Sequence, residues 1–92
     1  MTLAELPGGD LVTAGLDDLA RGVESVPALL VAIGGPRLRR LGYRVPDLAD
    51  PERRLYELLA RDDADSAHGR YNALVRRLVS FERAAESLGV RG

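Results

Sequence analysis

The chain contains one histidine, His68. Imidazole titrates near neutrality and is the side chain most often used to move a proton, so an enzymatic reading begins there. Arg61 stands upstream, with six residues between the two in "RDDADSAH". In that pair the guanidinium would hold a scissile phosphate while the imidazole transfers a proton. The plainer role for His68 is a boundary residue in the first turn of a helix, shielding the core. Other chemistries lack their parts. Ser25, Ser66, Ser80 and Ser87 have no histidine–acid set beyond His68, and none falls in a strand–turn–helix elbow. The absence of cysteine excludes disulfides, thiolate chemistry and cysteine-ligated zinc or iron–sulfur sites. One histidine cannot build a multi-histidine metal site, and no Asp/Glu spacing suits a calcium loop. Gly8-Gly9 and Gly34-Gly35 match no phosphate-binding loop, and there is no lysine to complete one. The expectation is no metal, no cofactor and no enzymatic activity, with the Arg61/His68 pair as the exception.

That stretch resembles the arginine–histidine motif of the all-helical HEPN ribonucleases. The resemblance covers "RDDADSAH" alone. It implies Arg61 and His68 acting together in RNA cleavage.

A second cluster is basic. Gly34 to Pro46 reads "GGPRLRRLGYRVP" and holds Arg37, Arg39, Arg40 and Arg44. "VPALLVAIGGPRLRRLG" is laid out as helix, glycine turn, helix, which is loosely a helix-turn-helix. Its arginines would reach phosphates or guanine edges. The third segment is only about six residues long, short for filling a major groove, and it lacks Asn, Gln, Ser and Thr to read bases. All thirteen basic residues are arginine, a composition that G+C-rich coding also produces, so a cluster of arginine is less informative here than elsewhere. The favoured expectation is a short amphipathic helix that buries Leu38 and Leu41 and turns its arginines toward an acidic first helix. Charge is uneven in the matching sense. Residues 1–30 carry five acids against Arg21, a net of −4, and residues 31–61 carry seven arginines against four acids, a net of +3. The overall charge of −1 argues against a dedicated DNA-binding domain.

The strongest pattern is a heptad seam. Ala67, Tyr71, Leu74, Leu78, Phe81, Ala85 and Leu88 follow one another at alternating steps of four and three. Val75 and Val79 widen the stripe on one flank, Ala73 and Ala84 on the other. Intramolecular packing produces this spacing. So does an interface, with Tyr71, Leu74, Val75, Leu78, Val79 and Phe81 as the apolar anchor and Arg70 and Arg77 as its rim.

These residues need elements to hold them. Thr2 and Glu5 have capping-box spacing, but Pro7-Gly8-Gly9 ends that turn. Asp10 is expected to cap a helix running to about Arg21, stopped by Gly22, with Val12, Leu16, Leu19 and Val23 inward. Ser25 caps the next segment, 26–33, which is apolar all round and fits a helix or a buried strand. Gly35-Pro36 opens a third segment that Gly42 closes. "YRVPDLAD" is a connector. Asp50 is expected to cap, with Pro51 at the first position, a helix to about Arg61 that buries Leu55, Leu58 and Leu59 and exposes Arg53, Glu57 and Arg61. Asp65 or Ser66 caps the last helix, about Ala67 to Leu88, stopped by Gly89.

Ninety-two residues, 46% hydrophobic and 29% charged, make one globular domain spanning 1–92. The expected fold is all-α, a bundle of four to five helices around a long C-terminal helix. No apolar run is long enough to span a membrane, and with no signal-peptide pattern the expected location is the cytoplasm. The expected function is a non-enzymatic interaction module, self-associating as a homodimer or binding a protein partner through the last helix. The alternative is a small nucleic-acid-binding regulator, antitoxin- or repressor-like, that uses Arg37, Arg39, Arg40 and Arg44.

Overall fold

Five helices follow a single 3₁₀ turn, Leu3–Glu5, in a computed structural model that describes residues 3–89. They are α1 (Gly9–Ala20), α2 (Val26–Ile33), α3 (Gly35–Arg40), α4 (Pro51–Asp62) and α5 (Ala67–Leu88). The fold is all-α. Thr2, half of the expected capping box, lies outside the described residues.

Segment 26–33 is a helix. The Ser25 hydroxyl accepts the Ala28 N–H at 3.2 Å, and Pro27 sits in the first turn, where a missing N–H costs nothing. Three other caps differ from expectation. Asp10 falls inside the first turn of α1, because Gly8 takes the cap position in a left-handed conformation. Asp50 precedes α4 with φ 49°, and its carboxylate accepts Arg53 Nη2 at 3.1 Å instead of capping the helix. Neither Asp65 nor Ser66 caps α5 through its side chain. Ser66 stands at the N-cap and donates to the Asp63 carbonyl, while Asp63 Oδ1 accepts the Asp65 N–H. The C-terminal stop at Gly89 is as expected, with φ 69°.

α2 is the hub of the core. α1 and α4 both pack against it, and α5 rests on α4, α1 and α2. Leu29, Leu30 and Val31 are all at most 3% exposed, and Val12, Leu38, Leu55, Leu59 and Phe81 close around them. The α1–α2 approach depends on Gly15. A Cβ there would lie 2.3 Å from the Pro27 carbonyl oxygen and 2.4 Å from Val31 Cγ2, so no side chain fits between the two backbones.

The connector after α3 does more than join helices. Tyr43 and Val45 are buried while Arg44 and Pro46 between and after them are exposed, an alternation that lays one side of an extended segment on the core. Tyr43 meets Phe81 of α5 with ring centroids 6.1 Å apart. Val23, expected inward on the first helix, is 44% exposed because α1 ends before it. No described helix is long and apolar enough to cross a membrane.

Candidate interaction surface

Burial divides the six apolar residues of the seam. Leu78 and Phe81 are spent inside the core, at 3% and 0% exposure. Tyr71 and Leu74 are half-buried against it, and Tyr71 stacks obliquely on Tyr56 of α4 at 6.0 Å. Val75 and Val79 lie on the flank that faces α3. Val75 still touches the core, whereas Val79 stands outside the contiguous apolar cluster. Leu88, at the end of the stripe, is 56% exposed.

That flank and α3 enclose an open groove of about 280 Å³. Ile33, Pro36, Val75 and Val79 give it apolar walls, Leu78 and Gly34 its base, and Arg37 and Arg40 one edge. α3 is held in place from below by Leu38 and Leu41, both buried, which leaves Arg37 directed at α5.

Arg37 makes a two-pronged contact with Glu86, Nε to Oε1 at 2.6 Å and Nη2 to Oε2 at 2.9 Å, and reaches Glu82 Oε1 with Nη1 at 3.4 Å. The Glu86 bond, more than Glu82, raises the affinity of Arg37 for its proton. Glu82 is a buried carboxylate, 4% exposed, at the bottom of the groove. Burial pushes its carboxyl above the ordinary range, against the downward pull of Arg37. Its space exists because residue 34 is glycine, where a Cβ would come within 2.9 Å of Glu82 Oε2.

The four arginines of the basic stretch therefore do not form one surface. Arg37 and Arg40 line the groove. Arg39 turns to the connector, donating to the Val45 carbonyl at 2.6 Å and pairing with Asp47 at 3.1 Å. Arg44 lines a separate open cavity of about 570 Å³ with Leu16, Ala20, Tyr43 and Pro46. Among the described residues Arg37 and Arg39 pair elsewhere than with the acidic first helix, their expected partner. α1 is bridged by its own neighbour Arg21 and by Arg77 of α5, which holds Asp10 at 2.9 Å. Arg70, the other expected rim residue, is likewise engaged, with Asp62 at 2.7 Å.

His68 is exposed and its Nε2 lies 3.2 Å from Asn72 Nδ2. Among the described residues no hydrogen bond or ion pair joins it to Arg61, which borders a shallow depression beside Glu57 and Ala60. Among the described residues no group of three or more His, Asp or Glu is placed to hold a metal ion.

Sequence reasoning missed Glu82, Ile33 and Pro36 in the groove, and Arg76 and Arg83 beside it. Glu82 follows Leu78 by four residues and precedes Ala85 by three, so helical spacing alone places it on the inner face. Arg76 and Arg83 bracket Val79 at −3 and +4 and share its flank in the same way. Comparison of the chain with protein-family models, curated proteins and solved structures finds no match in any of the three.

Proposed function

We propose that the chain is a helical protein-interaction module that works through the groove between α3 and α5. The observation that carries this is the position of Val79, a β-branched apolar side chain left outside a core that is already closed beneath it. With Val75, Ile33 and Pro36 it makes an apolar strip with a charged border, the anatomy of a recognition site. The nucleic-acid reading loses support from the dispersal of Arg37, Arg39 and Arg44 to different surroundings.

Val79→Asp tests the proposal in the source organism. The variant is expected to unfold at the same denaturant concentration as the wild type and to lose the proteins that co-purify with it. Retained co-purification, or nucleic acid bound at low salt and released by Arg37 and Arg40 neutralisation, would count against it.

A further inference from the structure

The α5 side of the groove carries positive charge that nothing within the chain answers. Arg37 and Arg40 stand on the α3 edge, and Arg76 and Arg83 flank Val79 on α5. Arg37 is answered within the chain by Glu86 and Glu82. Among the described residues no hydrogen bond or ion pair answers Arg76 or Arg83, and both are exposed. Most other arginines are spent on the chain's own carboxylates, as at Asp10, Glu24, Asp47, Glu57 and Asp62; among the described residues Arg44 and Arg61 are likewise unanswered, but each stands alone on another face.

Resting on the reading of this face as a protein-interaction site, we infer that its occupant is an amphipathic helix of a different protein, apolar along one stripe and carrying Asp or Glu on the flank that meets Arg76 and Arg83. The described residues contain no strand, so there is no sheet edge to extend, and a channel between two helices suits a third helix. From Val75 to Arg83 the face runs about 12 Å at the helical rise, which two to three turns of a partner would cover. Its apolar stripe would meet Val79, Val75, Ile33 and Pro36, and its carboxylates would reach Arg76 and Arg83.

A second copy of this chain fits less well. A two-fold contact brings the same patch from each side. An antiparallel pairing of α5 centred on Val79 sets Arg76 of each copy beside Arg83 of the other. A parallel pairing sets the α5 arginines against α3, where Arg37 already takes up the Glu86 and Glu82 carboxylates. The first arrangement opposes like charges, and the second offers Arg76 and Arg83 only carboxylates that Arg37 already engages.

The test uses the full chain and pools of displayed three-turn helices that share a leucine stripe and differ only in their flanking positions: acidic, uncharged or basic. Binders are expected from the acidic pool alone. Their titration into ¹⁵N-labelled protein is expected to shift the amide resonances of Val75, Arg76, Val79 and Arg83. The double variant Arg76→Glu/Arg83→Glu, changed at two exposed positions, should bind them about tenfold or more weakly and select from the basic pool instead. Equal binding by the uncharged pool, or preference for the basic pool, overturns the acidic partner while leaving the interaction face standing. Dimerisation through the face, seen by light scattering and abolished by Val79→Asp, overturns it in favour of a second copy. If no pool shifts these resonances, both the inference and the proposed function fail.

Discussion

The α1–α2 seam and the α3–α5 seam join helices of one chain by opposite means. At the first, Gly15 lets two backbones meet, and Leu30, Val31 and Val12 leave no gap. At the second, the Arg37 guanidinium bridges Glu86 and Glu82 along one edge of an open groove whose apolar walls stay half-exposed. Close packing commits surface to the fold, since apolar area buried inside the chain is no longer available to anything else. An ion-pair bridge at the edge of an open groove adds little stability at its exposed end, and it leaves the apolar strip accessible. The difference separates the part of the molecule that makes it fold from the part we propose is offered to a partner.

Substitutions should divide along the same line. The largest effect is expected from Phe81→Ala. This ring is fully buried where α5 meets Tyr43, and its loss should lower stability by about 4 kcal/mol in urea denaturation. Gly15→Ala should follow at about 2 kcal/mol, because the added methyl meets the Pro27 carbonyl. Ordinary helix propensity predicts the reverse sign, a gain of about 1 kcal/mol, so the direction of the change alone decides whether the seam is as tight as described. Tyr43→Phe should raise stability by about 1 kcal/mol. The Tyr43 hydroxyl is buried with no hydrogen-bond partner among the described residues, and phenylalanine fills the same volume without it.

The groove gives a subtler signature, in pH. The folded chain holds the Glu82 proton more tightly than the unfolded chain does, because its carboxyl is raised by burial. Its contribution to stability is therefore fully present below the ordinary carboxylate value and is lost as pH rises through the raised one. Asp18 runs the other way. The Ser25 hydroxyl, and then Arg21, lowers its carboxyl, so its contribution is present above the ordinary value and is lost as pH falls through the lowered one. Glu82→Gln should remove the first dependence and leave the second. Arg37 keeps its two bonds to Glu86 in that variant. Urea midpoints followed across the acid range will read both. Val79→Ser should be the smallest change in stability, within about 0.5 kcal/mol.

Much of the fold was legible in the sequence. The bounds of α5 follow from its apolar stripe and from Gly89, and the cap of α2 from Ser25 and Pro27, because these are local interactions that residue type and spacing encode directly. The failures have a common origin. Asp10 and Asp50 are good capping residues in isolation, but each found an arginine instead, Arg77 from the far end of the chain and Arg53 one turn on. Tyr43 and Val45 fall in a stretch that reads as a connector, yet an extended segment can still lay alternate side chains on the core. The arginine cluster looked like one feature and is three, since the directions of Arg37, Arg39 and Arg44 are set by tertiary packing. Half of the candidate site, Val75 and Val79, came from the seam and part of its edge, Arg37 and Arg40, from the basic stretch. That the two form one groove depends on how α3 is seated on the core, which no local pattern states.

Site-specific photocrosslinking in the source organism tests the central claim most directly, with the crosslinker at position 79 in the groove and, for comparison, at position 13 on the exposed side of α1. The account predicts a discrete adduct from position 79 with an acidic helical segment of another protein, none from position 13, and loss of the adduct when Arg76 and Arg83 are reversed to glutamate. Equal adducts from the two positions, or none from position 79, would contradict it.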